Sequence, residues 1–289
     1  MVTPMADGAV AYADLERILS VQLESGVQGI VPCGTTGESP TLSEAEHLQV
    51  IQTCIGIAGG KTQIIAGTGA NSTAEALSLT KSADLAGADA FLLVAPYYNK
   101  PSQEGLFAHF SALAEVTEKP IVLYSIPSRC GIEISTDTIC RLREKFPHIC
   151  ALKEAGGRSS KVSETMVSLD DQFVVLSGDD GLTLPFMACG AKGVVSVASN
   201  IIPEIVSDMV RLALEGQYDK AREIHLAHYS LFTDLFCEPN PVPVKVLMHM
   251  TGMIGSAEVR LPLCPPSASN LNLLKSIASN IDISQKLCT

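Results

Sequence analysis

The chain has 289 residues, enough for one large domain or two, and its 46% hydrophobic and 18% charged residues supply a packed core and exclude a disordered chain. A formal charge of -11 argues against nucleic acid or an anionic membrane as partner, because binding phosphates calls for clustered Lys and Arg. An anionic small substrate is not excluded, since it needs only a local patch of donors.

The nine cysteines, at 33, 54, 130, 140, 150, 189, 237, 264 and 288, include no Cys-x-x-Cys pair. Neither a zinc framework nor a disulfide scaffold is expected, and reduced thiols of a soluble, cytoplasmic protein are. Cys130 lies nearest the motifs described below, where a small packing residue competes with a reactive thiol. There is no charged-then-apolar signal segment and no apolar run near the roughly 18 residues of a membrane helix.

In chain order, Val2-Thr3-Pro4-Met5 is a candidate first strand, hardly long enough, so that either strand one is very short or the native start lies upstream. Seven apolar runs follow: 28–32, 63–67, 90–94, 120–124, 149–153, 173–177 and 193–197. They are nearly continuous in apolar character, as strands covered on both faces should be, which predicts a parallel sheet. Helical patterns alternate with them at 13–24, 43–57, 73–86, 103–116, 135–145, 161–168, 182–189 and 203–214. Several of these helices end at a glycine, which suits a left-handed cap.

Eight strands with helices between them close a (β/α)8 TIM barrel over residues 1–216, with a doubly wound open sheet as the alternative. From residue 217 to 289 only helical patterns remain, at 219–236, 242–251 and 270–278, and this stretch is expected to form a C-terminal helical extension. Pro262, Pro265 and Pro266 mark an extended connection within it.

The residues just past each barrel strand share one rim. Gly34-Thr35-Thr36-Gly37-Glu38 follows the second strand and precedes a helix, where glycine-flanked backbone N-H groups can cradle a carboxylate or phosphate. Gly67-Thr68-Gly69 lacks the third glycine of a dinucleotide fingerprint and reads as a turn. Pro96-Tyr97-Tyr98-Asn99 and Tyr124-Ser125-Ile126-Pro127-Ser128-Arg129 follow the next two strands.

Then the run 149–152 ends abruptly in Lys153-Glu154. A lysine at a strand end either snorkels to water or, desolvated, becomes a usable amine nucleophile. Tyr124 ends the neighbouring strand, about 4.8 Å away across a ladder, where a phenol could relay protons for that amine. Arg129 could grasp a carboxylate on two sides or form a structural ion pair. His225 and His228, with Glu223 nearby, are the single hint of a metal site, off the rim on what reads as an exposed helix face.

Read together, 34–38, 96–99, 124–129, 152–155 and Glu238-Pro239-Asn240-Pro241 resemble the pyruvate-dependent class I aldolase and lyase superfamily and, within it, the dihydrodipicolinate synthase family, from Val2 to about Pro262. The resemblance implies a barrel lyase of lysine and diaminopimelate biosynthesis that needs no cofactor, because Lys153 forms an imine with the substrate pyruvate. The derived enamine would attack L-aspartate semialdehyde. It further implies Tyr124, Thr35 and Tyr98 as a proton relay, with Tyr98 supplied by a neighbouring subunit of a homotetramer. Thr36 and its loop would hold the pyruvate carboxylate, Arg129 that of the semialdehyde, and Gly178 and Val195 would offer backbone groups.

The family's pattern for feedback inhibition by lysine is matched at Ser39, His47, Asn71, Glu75 and Tyr97 and departs at Pro40 and Glu44. Ser125 stands where the family often has asparagine. The competing expectations are N-acetylneuraminate lyase or a 2-keto-3-deoxy sugar acid aldolase of the same superfamily. From a different class comes a silent barrel that senses lysine or pyruvate. Arg129 and the paired threonines favour the synthase.

Overall fold

The computed structural model describes residues 1–281, so Cys288 and the last residues of the expected extension lie outside the described residues. The chain opens with a small antiparallel hairpin, β1 (Met5–Ala6) paired with β2 (Ala9–Val10). Six parallel strands follow in chain order: β3 (Gly29–Ile30), β4 (Gln63–Gly67), β5 (Ala90–Val94), β6 (Ile121–Ser125), β7 (Ile149–Glu154) and β8 (Val174–Ser177). This is the curled sheet of a TIM-barrel fold, and it matches six of the apolar runs.

Helices α1 (Tyr12–Glu24), α2 (Glu44–Ala58), α3 (Thr73–Ala86), α4 (Gln103–Ala114), a single turn α5 (Pro127–Cys130), α6 (Thr136–Lys145), α7 (Ser159–Ser168), α8 (Thr183–Ala188) and α9 (Pro203–Leu214) alternate with the strands. Side chains satisfy their first amides where the sequence offers them. Ser43 and Glu46 form a reciprocal capping box on α2, and Ser72, Ser102 and Ser135 cap α3, α4 and α6. Fully buried Phe91 of β5 and Phe110 of α4 belong to the core, each side chain contributing about 1.5–3 kcal/mol by leaving water.

Two expected strands are corrected. Residues 1–4 make no ladder. Instead the Val2 amide donates to Asn200 Oδ1 at 2.9 Å, the Met1 amine to the Val31 carbonyl at 2.8 Å, and Thr3 Oγ1 to the Gly37 carbonyl at 2.8 Å. Pro4 has no N-H with which to continue a ladder, and these three contacts hold the first residues between β3 and the last strand position instead. At 193–197 only Val194 bridges to Ser177. The buried carboxylate of Asp180 accepts from the Val197 and Ala198 amides, which pulls the run into a 3-10 turn at Ala198–Asn200.

Three further helices, α10 (Tyr218–Asp234), α11 (Val242–Met250) and α12 (Ala268–Ala278), form the C-terminal extension. His225 corrects the expectation of an exposed face, because it is buried, packed against the rings of Tyr229 and Phe232. No helix among the described residues is long and apolar enough to cross a membrane.

Candidate active site

The register of β6 and β7 pairs Tyr124 with Lys153. Lys153 is 9% exposed and Tyr124 4%, so the lysine does not snorkel into water. Its Nζ lies 4.0 Å from the centroid of the Tyr124 ring, a contact in which the aromatic face attracts a cation. Gly178, just past β8, completes the slot. A Cβ there would lie 3.1 Å from Lys153 Cε and 2.7 Å from the Ala155 Cβ, so glycine is what lets the backbone approach the lysine stem. The Gly178 amide donates to the Glu154 carbonyl at 2.7 Å, and the Val195 amide to the Ser177 carbonyl at 2.8 Å, so the two expected backbone residues are fixed beside the ends of β7 and β8 respectively.

A cavity of about 240 Å³ opens on this end of the sheet. It is lined by Thr35, Tyr124 and Arg129, together with Cys33, Ser39, Pro40, Tyr97 and Cys130. Lys153, Thr36, Gly178 and Val195 are not in its lining, and the Tyr124 ring is the surface through which the lysine adjoins it. The Thr35-Thr36 loop is wound tightly, with the Gly37 and Ser39 amides donating to the Gly34 carbonyl and that of Glu38 to the Thr35 carbonyl. The loop presses on the end of β4, where a Cβ on Gly67 would lie 2.4 Å from the Cys33 carbonyl oxygen. Gly67 thus serves close backbone approach, which the truncated dinucleotide-like pattern did not convey.

Arg129 lies within the single turn α5 and makes no ion pair among the described residues; its Nη2 donates to the Asn240 carbonyl at 3.3 Å. Asn240 Nδ2 in turn donates to Thr36 Oγ1 at 3.0 Å. One residue of the extension therefore touches both of the groups expected to hold carboxylates. Sequence reasoning quoted Asn240 within a motif but gave it no role, because a contact across 204 positions leaves no local pattern. Burial pushes the Cys130 thiol up to about 11 and that of Cys33 well above the ordinary range, so both are held as thiols in the cavity wall.

Tyr98 stands apart. It is 89% exposed and in the left-handed region with φ 73, an unfavourable conformation for a residue with a side chain. Of the five residues of the lysine pattern, three adjoin one another: burial raises the Tyr97 phenol, the Glu75 charge adds to the rise, and a hydrogen bond to the Asn71 backbone opposes it. Ser39 and Tyr97 line the central cavity, whereas His47 lines a second cavity of about 190 Å³ with Glu44, and its Nε2 donates to the Gly67 carbonyl at 2.9 Å. Asn71 accepts from Asn99 Nδ2 at 2.8 Å, and Glu75 sits in the first turn of α3.

Glu154, next to the lysine and fully buried, was not singled out from the sequence. Burial raises its carboxyl to about 7, the Gly156 amide donates to Oε1 at 2.6 Å, and Oε2 has no hydrogen-bond partner among the described residues.

The model of the dihydrodipicolinate synthetase family matches residues 1–281. The chain belongs to this family. The 4-hydroxy-tetrahydrodipicolinate synthase of Sulfurihydrogenibium sp. (strain YO3AOP1) is 49% identical over 277 residues, 96% of this chain and 94% of the relative. The structure of the 4-hydroxy-tetrahydrodipicolinate synthase of Methylacidiphilum fumariolicum SolV superposes with a TM-score of 0.95 at 52% identity, over 96% of this chain and 93% of the other. Both full-length likenesses make this family member a lyase with a TIM-barrel fold. Two other family structures carry small molecules. The chloride-inhibited enzyme of Acinetobacter baumannii is complexed with pyruvate (43% identity, TM-score 0.93, over 97% of each chain), and that of Cyanidioschyzon merolae has lysine bound (38%, 0.93, over 97% of this chain and 96% of the other).

Proposed function

We propose that this lyase condenses pyruvate with L-aspartate semialdehyde to give 4-hydroxy-tetrahydrodipicolinate and water, through an imine on Lys153. The observation that carries the proposal is the Lys153 amine held on the Tyr124 ring at the edge of a cavity that also receives Thr35 and Arg129. The amine adds to the keto carbon of pyruvate, and the carbinolamine loses water to give the imine. A proton leaves the methyl carbon, and the resulting enamine forms the carbon-carbon bond to the aldehyde. The amino group of the bound semialdehyde then displaces Lys153 from the former keto carbon, closing the ring and freeing the lysine.

Tyr124 and Thr35 carry protons in these steps, and Tyr98 joins them from a neighbouring subunit of a homotetramer. Thr36 and its loop hold one carboxylate. Arg129, uncommitted to any acidic side chain among the described residues, holds the second, for which its planar guanidinium is suited. L-Lysine is a feedback ligand of the residues Ser39, His47, Asn71, Glu75 and Tyr97. The barrel of residues 1–216 and the extension of 217–289 act as one catalytic unit, since Asn240 contacts both Thr36 and Arg129, the two groups that hold carboxylates.

Borohydride added with pyruvate should attach one reduced pyruvate adduct to the wild-type chain, read by intact mass, and none to Lys153→Ala. Tyr124→Phe should keep the adduct but lower kcat by about a hundredfold or more, the range for a lost general acid-base group. An unlabelled wild type would refute imine chemistry, and turnover of N-acetylneuraminate without turnover of the semialdehyde would transfer the chain to the sugar-acid aldolases.

A further inference from the structure

The deepest ion pair in the described residues lies below the threonine loop. Lys245 Nζ, on α11, and Glu38 Oε1 are 2.6 Å apart, and both side chains are 0% exposed. The other carboxylate oxygen accepts from the Arg260 amide at 3.0 Å. Glu38 is therefore satisfied by two donors from the C-terminal extension, 207 and 222 positions away. Its backbone is left-handed, with φ 55, a conformation that a residue with a side chain keeps when its surroundings over-determine it. Just before it the loop turns through Thr35 and Thr36, whose own amides take no partner among the described residues, and the Glu38 amide closes that turn on the Thr35 carbonyl.

An ion pair in such a place is not the means of gaining stability, since an apolar pair of equal volume commonly serves as well or better. What two opposed charges and a third donor provide is one permitted position for the group they hold. Neither Glu38 nor Lys245 lines the cavity, so they reach substrate through the loop alone.

We infer that the buried Glu38–Lys245 pair is a positioning device through which the C-terminal extension fixes Thr35 and Thr36, and thereby sets the affinity of the site for the carboxylate of an α-keto acid. The inference rests on the proposed pyruvate chemistry for its ligand, and on the geometry alone for its effect on the loop.

The test compares wild type with Glu38→Gln, Lys245→Met and the double variant in three measurements: melting temperature, pyruvate dependence of both turnover and borohydride trapping, and amide exchange of residues 33–39. Each single variant leaves one charge buried alone and should melt well below wild type. The double variant removes both charges and should regain most of that loss. Its half-saturation by pyruvate should nevertheless stay raised about tenfold with kcat within about threefold, the signature of lost binding rather than lost chemistry. Its loop amides should exchange faster at matched stability.

Recovery of wild-type half-saturation along with the melting temperature would make the pair a packing feature and overturn the inference. Should the double variant fail to fold, Glu38→Asp keeps both charges and shortens the carboxylate arm by one methylene. A raised half-saturation in folded Glu38→Asp supports the inference, and a wild-type value overturns it. If wild type itself traps no pyruvate, the proposed reaction falls, and exchange at residues 33–39 still decides the role of the pair.

Discussion

Gly178 controls how closely the Lys153 stem is confined. The family resemblance implied only a backbone group at Gly178, whereas the structure shows a missing Cβ as the feature that matters, with Lys153 Cε 3.1 Å and the Ala155 Cβ 2.7 Å from where it would be. Gly178→Ala must therefore push the lysine stem or the β8 backbone aside. A shift of about 1 Å at a reacting group can cost on the order of a hundredfold, so kcat/KM for pyruvate should fall about tenfold to a hundredfold, with trapping slowed in parallel. Wild-type trapping kinetics in Gly178→Ala would show that the slot has slack. At this scale the sequence was informative about chemistry-bearing types. Lysine, tyrosine and arginine at strand ends are conspicuous, while a glycine chosen for the absence of an atom looks like any turn glycine.

Strand β7 shows how far an element could be read ahead of the structure. Its apolar run and its end at Lys153 were legible, because a strand covered on both faces is written as a continuous hydrophobic stretch. Successive residues of a strand face opposite ways, so Lys153 on the barrel side places Glu154 toward the helices. There burial raises its carboxyl from the ordinary 4.5 to about 7, with the Glu133 charge adding to the rise and the Gly156 amide, Lys161 and Arg158 opposing it.

A carboxyl raised on folding binds its proton more tightly in the native state, so its stabilising balance is intact below about pH 4.5 and is lost as pH rises through about 7. At 1.36 kcal/mol per unit the loss amounts to at most roughly 3 kcal/mol. Glu154→Gln, which keeps an acceptor for the Gly156 amide, should be the more stable form at pH 8 by up to that amount, with the gap shrinking toward pH 5. Denaturant midpoints at the two pH values measure this, and a gap independent of pH would show that Glu154 does not titrate there.

At the scale of the molecule, the alternation of strands and helices announced the barrel, but not how it closes. Closure depends on Asn200 reaching Val2 and on Asp180 drawing Val197 and Ala198 into a turn, contacts of side chains with distant backbone that no periodicity encodes. The same holds for Asn240 and Lys245, whose helical extension was visible while its hold on the loop was not. Tyr98 extends the problem beyond one chain, being 89% exposed on a left-handed backbone and absent from the lining of its own cavity. A side chain held in that conformation while facing solvent is explained if a second copy receives it.

The prediction is a complementation experiment. Lys153→Ala and Tyr98→Phe chains, each of low activity alone, are unfolded, mixed in equal amounts and refolded together. If Tyr98 acts in trans, a mixed pair has one site carrying both lesions and one carrying neither, so random pairing should restore about a quarter of wild-type sites. If Tyr98 serves its own chain, each site keeps one lesion and mixing restores nothing. Full activity of Tyr98→Phe alone would remove the residue from the relay altogether.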